Sequence, residues 1–176
     1  MAFDLSNLLQ QYMGAANKVP PEQAEYDFDR IADTAPQSEL GNGVAQAFRS
    51  DQTPPFPQMV SQLFGNSDPN QRAGMLNQML STLGPGVLAS LGGGLGNLLK
   101  NRGAGTQQAP QITPEEAERL SPDDVKQVAE RAEQEDPSIM DRMGQFYAKN
   151  PTLVKALGGA ALAIALGHMA QGMRRQ

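Results

Sequence analysis

Apolar residues recur along this chain at intervals of three and four. Leu5, Leu8, Leu9, Tyr12 and Met13 follow the i, i+3, i+4, i+7, i+8 spacing of one helix face, and Gly14 ends the run. The same spacing predicts a helix over 22–33 carrying Tyr26 and Ile31, and another opened by Ser38 with Leu40, Val44 and Phe48. After the extended elbow Thr53-Pro54-Pro55-Phe56-Pro57, Met59, Val60, Leu63 and Phe64 form a short helix that Gly65 closes. A longer one carries Met75, Leu76, Met79, Leu80 and Leu83 before Gly84-Pro85-Gly86 breaks it, and Val87, Leu88 and Leu91 begin a further turn. Residues 137–149 place Ile139, Met143, Phe146 and Tyr147 on one side. No stretch alternates with period two through β-branched residues, so strands are not expected.

Proline marks the helix starts. Asp68-Pro69, Thr113-Pro114, Ser121-Pro122, Asp136-Pro137 and Asn150-Pro151 each set a capping side chain before a residue that lacks the N–H a first helical turn would leave unpaired. Thr113 with Glu116, and more weakly Ser121 with Asp124, extend to capping boxes. The fold class expected is therefore all-α: an array of short Pro-capped helices with a C-terminal helical module. The Gly/Gln/Ala stretch Asn101–Pro110 reads as a linker. It divides the chain into a 1–100 N-terminal helical domain, a 101–112 flexible Gly/Gln linker and a 113–176 C-terminal module ending in an apolar small-residue helix. Leu40, Val44, Leu63, Phe64, Leu76 and Leu80 are expected in the N-terminal core.

The last third carries the strongest signal. Ala156–Gly167 are twelve consecutive uncharged, mostly small residues, short of the ~20 that span a bilayer core. Gly159, Ala163 and Gly167 form a small-xxx-small stripe that lets helix backbones approach closely, and Leu162, Leu166, Met169 and Met173 form a bulkier one beside it. This pattern suits a helix buried in protein, within or between chains, and it also suits a lipid-inserted one.

Composition narrows the chemistry. Hydrophobic residues are 39 % of the 176, with six Phe, three Tyr and no Trp, so a core must be built from closely packed Leu, Met, Ala and Val. The nine methionines suit adaptable interfaces as well as core gaps. A net charge of −5 argues against nucleic acid as a partner, because neutralising phosphates needs clustered Lys and Arg. Zero cysteines excludes disulfides, thiolate catalysis and Cys-ligated zinc. Gly84–Ala89 matches the dinucleotide glycine spacing but follows no strand, and Gly92–Lys100 lacks the Gly-Lys-Ser/Thr ending of a phosphate loop. Neither is read as a nucleotide site. His168, the single histidine, has neither nucleophile nor carboxylate beside it in sequence and is read as a helix-flank residue. The nine acidic residues against three basic ones in 113–136 lack the alternating loop ligands of a calcium site. They are read as helix-capping carboxylates on a solvated face, with a basic protein as the partner such a face would recruit. No cofactor, catalytic residue or metal ligand is assigned. The first residues lack a basic and apolar leader, which makes a cytoplasmic location the default.

The residues Pro55-Phe56-Pro57-Gln58-Met59, Leu63-Phe64, Met75-Leu76-Asn77-Gln78-Met79-Leu80 and the glycine-punctuated Leu83–Leu99 carry a resemblance. Over residues 48–99 the chain resembles YidB-like bacterial proteins of unknown function. That implies a small, helical, soluble bacterial protein and supplies no catalytic residue; nothing comparable covers Thr113–Gln176.

The functional expectation is a non-enzymatic bacterial structural or interaction protein whose partner is itself. Self-association is assigned to Leu153, Leu157, Gly159, Leu162, Ala163, Leu166, Gly167, Met169 and Met173. Truncation after Asn150 is then expected to abolish assembly and leave the N-terminal half folded. The alternative is a peripheral or tail-anchored membrane protein using residues 151–175, with Arg174 and Arg175 at the headgroups. A ligand-binding protein or enzyme with a site of ordinary polar residues is the third reading.

Overall fold

A computed structural model describes residues 5–13, 18–102 and 111–175. Among these the chain is all-α, as the spacing predicts: α1 (Leu5–Gln10), α2 (Pro21–Ala32), α3 (Gln37–Arg49), α4 (Phe56–Gly65), α5 (Pro69–Leu80), α6 (Pro85–Ser90), α7 (Gly93–Asn101), α8 (Pro114–Glu118), α9 (Pro122–Glu135), α10 (Ile139–Ala148), α11 (Pro151–Val154) and α12 (Gly159–Arg174). A 3₁₀ turn, Lys155–Leu157, joins the last two.

Local chemistry explains most boundaries. The Thr113 and Ser121 boxes close reciprocally, with Glu116 N–H donating to Thr113 Oγ1 at 3.3 Å and Thr113 N–H to Glu116 Oε2 at 2.9 Å. Asp68 forms a third box with Gln71, whose N–H donates to Asp68 Oδ1 at 2.9 Å. Two proline signals act differently from expectation. Asp136-Pro137 ends α9 and leads into the next helix through a turn: Asp136 is extended (φ −150°, ψ 99°), as a residue before proline prefers. Its carboxylate caps the Ser138 N–H at 3.0 Å, and α10 starts at Ile139. The Asn150 side chain turns back, donating to the Phe146 carbonyl, and does not cap α11. Helix α12 begins after Gly158, whose φ of +89° only glycine adopts readily.

The chain forms two compact units: residues 1–55 with 140–176, and residues 56–139. These cut the chain at 55/56 and 139/140 and not at the expected 101–112 linker, of which 103–110 lie outside the described residues. The six expected core residues are all buried, but they serve two cores. Leu40 and Val44 belong to the first unit, and Leu63, Phe64, Leu76 and Leu80 to the second.

In the first unit α12 packs on α3, α2 and α1, and α11 on α2. Helix α10 lies against α3: the Gly144 Cα abuts the Gly41 carbonyl and Ala45, Gln145 Nε2 donates to the Ser38 carbonyl, and the Phe48 and Tyr147 rings meet edge to face at 6.2 Å. In the second unit α4 packs on α9, and α5 on α8 and α9. The Asn77 side-chain amide there exchanges two hydrogen bonds with the Ile112 backbone, at 2.7 and 3.2 Å. The two units thus share a plan. The chain contains two successive runs of four packing helices, α2-α3-α4-α5 and α8-α9-α10-α12. Each unit combines the first two helices of one run with the last two of the other. The third helices also match in sequence: Phe56, Val60 and Phe64 stand 83 positions before Ile139, Met143 and Tyr147, all six are buried, and each helix is followed by Asp-Pro or Asn-Pro.

Candidate functional site

Seven of the nine residues assigned to self-association are buried within their own chain. Leu162, Ala163, Leu166 and Met169 are at most 2 % exposed, and Leu153 is buried in α11. The described side chains and glycines of both stripes of α12 are buried. On the small one, a Cβ at Gly159 would collide with Pro21 of α2, and Gly167 lies against the Tyr12 carbonyl. On the bulky one, Met169 lies over Gly43 of α3, and the Ala165 carbonyl beside that stripe fills the rest of the space. Leu157, in the 3₁₀ turn, is half-buried, and the Met173 side chain lies outside the described residues. Within the chain, the surface that α12 buries against is α1–α3 of its own unit. The expectation that the N-terminal half stays folded after loss of residues beyond Asn150 is corrected accordingly, since α2 and α3 would lose the helix that covers them.

Among the described residues, no helix is long and apolar enough to cross a membrane. None of them forms a group of three or more His, Asp or Glu placed to hold a metal ion.

One open cleft of about 360 Å³ lies in the first unit, lined among others by Gln46, Arg49, Ser50, Ile164, His168 and Gln171. His168 is thus a cleft residue as well as a helix-flank one. Burial lowers its basicity, Arg175 lowers it further, and Glu39 opposes both. Arg49 is held by Asp141 in a two-pronged pair, 2.7 Å at each oxygen; the bond raises the guanidinium above its ordinary value and draws the carboxyl below its own. The guanidinium that could take an anion is already engaged, and the rest of this lining is mainly amide, hydroxyl and imidazole. The cleft offers hydrogen bonds rather than an assembled nucleophile and base.

Two buried polar groups escaped the sequence reading. Asp27, 2 % exposed, accepts a 2.6 Å hydrogen bond from the Tyr12 hydroxyl and bonds from Gln23 Nε2 at 3.1 and 3.2 Å. Burial, then that bond and the nearby charge, raise the Tyr12 phenol well above its ordinary value. A signal existed: Asp27 falls between Ala24 and Ile31 on the apolar face of α2, where a carboxylate needs a partner. The second is Tyr147, fully buried, whose hydroxyl has no hydrogen-bond partner among the described residues. Burial pushes its phenol far up. Tyr147→Phe keeps the ring contacts with Phe48 and Phe146 and removes a desolvated hydroxyl. It is expected to raise stability by about 1 kcal/mol, read from the denaturant midpoint; a loss of that size would mean the hydroxyl is satisfied in solution.

The acidic stretch 113–136 is largely committed to its own helices. Burial pushes Asp124 up, but hydrogen bonds from Ser121 and from the Gly94 N–H bring it below its usual value. Glu116 pairs with Arg102. Asp123, Glu130 and Glu135 remain exposed on the solvated face. No protein-family model, curated protein or solved structure matches the chain.

Proposed function

We propose that this chain is a non-enzymatic, self-associating bacterial interaction protein in which residues 151–173 are the docking element. The observation that supports it is the packing of α12: an apolar helix, far along the chain from α2 and α3, seated over Gly43 as a helical ligand sits in a groove. A second copy of the chain carries the same helix and the same groove. The exposed carboxylates of α9 suit a basic protein as a further partner. The resemblance of residues 48–99 to YidB-like proteins implies a small, helical, soluble bacterial protein and brings no catalytic residue with it.

Light scattering on detergent-free full-length protein, from micromolar to submillimolar concentration, tests the reading. Particle mass is expected to rise above that of one chain as concentration increases. A constant single-chain mass overturns it. Recovery only in detergent transfers residues 151–175 to the membrane reading.

A further inference from the structure

We propose that the open cleft between the end of α3 and α12 binds an extended, uncharged peptide segment, whose backbone is read by glutamine side chains. The site goes beyond self-association and does not depend on it, because its polar side chains lie outside the two buried stripes of α12.

The cleft, of about 360 Å³, lies within the first unit. Its α3 wall carries Gln46 and Arg49, and Gln52 follows in the turn after that helix. Its α12 wall carries Ile164, His168 and Gln171, spaced i, i+4 and i+7. A space of this size lies at the small end of ligand sites and accommodates a few residues of extended chain. The side-chain amides of Gln46, Gln52 and Gln171 have no hydrogen-bond partner among the described residues. Each offers both a donor and an acceptor.

Charge selects against ions. Arg49 is held by Asp141 through two 2.7 Å bonds, so an anion would have to displace a carboxylate. A cation meets no carboxylate in the described lining. Burial lowers the basicity of His168, with Glu39 opposing and Arg175 adding to it, so at neutral pH the ring is uncharged and both donates and accepts. Nucleobases stack on aromatic faces, but the Tyr12 side chain is 1 % exposed and its hydroxyl is committed to Asp27 at 2.6 Å. A neutral ligand with alternating donors and acceptors fits best, and the peptide backbone has that form. The chain already makes this kind of bond. The Asn77 amide exchanges two hydrogen bonds, at 2.7 and 3.2 Å, with the non-helical backbone at Ile112. Half-buried Ile164 adds an apolar contact for one side chain of the segment.

NMR titration of isotope-labelled full-length protein with the blocked peptide acetyl-Ala-Leu-Ala-amide tests the site. Saturable shifts are expected in the side-chain amide signals of Gln46, Gln52 and Gln171 and in the backbone signals around His168. Gln171 is exposed, so Gln171→Ala leaves the core untouched; it is expected to weaken binding about tenfold, through the loss of one or two hydrogen bonds. Asn42→Ala, exposed on α3 outside the lining, is expected to change nothing. On wild type, the same peptide with methylated backbone nitrogens is expected to lose saturable binding. Absence of saturable shifts at these residues up to tens of millimolar peptide overturns the proposal. Equal binding of the methylated peptide overturns it too, since the backbone is then not what is read. Equal affinity for N-methylacetamide would show a site for a lone amide and not a segment, and saturation by inorganic phosphate in place of peptide would show an anion site; either result also overturns it. The readout is the same for a single chain and for an assembly, so failure here leaves self-association standing.

Discussion

Truncation after Asn150 is expected to unfold the first unit and leave the second intact. The deleted residues include Leu162, Leu166 and Met169, all essentially unexposed, along with buried Ala161, Ala163 and Ala165. Burying each large side chain contributes roughly 1.5–3 kcal/mol, so these three alone represent about 5–9 kcal/mol. A domain's whole margin is about 5–15 kcal/mol. The loss also strips cover from Phe28 and Ile31 on α2 and from Leu40 and Val44 on α3. Residues 56–139 keep every helix of their own unit. Hydrogen exchange followed by mass spectrometry separates the two: α2 and α3 amides should lose protection while α4, α5 and α9 retain theirs. Protection of α3 persisting in the truncated chain would mean that α12 is dispensable to this core.

Gly144→Ala is expected to destabilise the first unit by about 1–3 kcal/mol, the usual cost of overpacking. In an exposed helix the same change would help by up to about 1 kcal/mol, since alanine is the better helix former. Here the added methyl meets the Gly41 carbonyl oxygen and sits 3.0 Å from the Ala45 Cβ, and backbone cannot swing aside as a side-chain tip can. The two helices must separate, loosening the edge-to-face contact of Phe48 and Tyr147 and the Arg49–Asp141 pair beyond it. Gly65→Ala is the control. It closes α4 with open space around its Cα and no positive φ, so alanine there should be neutral or slightly stabilising. In thermal melts Gly144→Ala is expected to fall by several degrees while Gly65→Ala stays level or rises slightly. Equal shifts would indicate that helix propensity, not close approach, governs Gly144.

The contrast between these glycines marks how far local pattern reaches. Gly144 and Gly65 look alike in sequence, each in an apolar-periodic helix close to a phenylalanine. Only the neighbour across the space, present for one and absent for the other, separates them. The same limit applies to α12. A stripe of Gly159, Ala163 and Gly167 beside Leu162 and Leu166 declares a helix that packs closely. It carries no information on whether the surface it meets is in the same chain, another chain or lipid, since all three offer apolar contact. Asp27 was legible in principle, because a carboxylate among Ala24, Phe28 and Ile31 requires a donor. That the donor is Tyr12 depends on how α1 approaches α2.

The division into units shows the same separation. The glycine and glutamine run near residue 105 reports local composition, whereas a unit is defined by which apolar faces cover one another, and those faces come from segments about a hundred residues apart. By itself the sequence determined the helices, their proline-marked starts, the capping boxes at Thr113 and Ser121 and the absence of cysteine chemistry, because each depends on groups within about one helical turn. Tertiary structure alone decided that α12 serves the first core, that the buried Tyr147 hydroxyl has no hydrogen-bond partner among the described residues, and that each unit draws its helices from both runs. Those outcomes depend on long-range complementarity of shape, for which periodicity supplies the faces but not the partners.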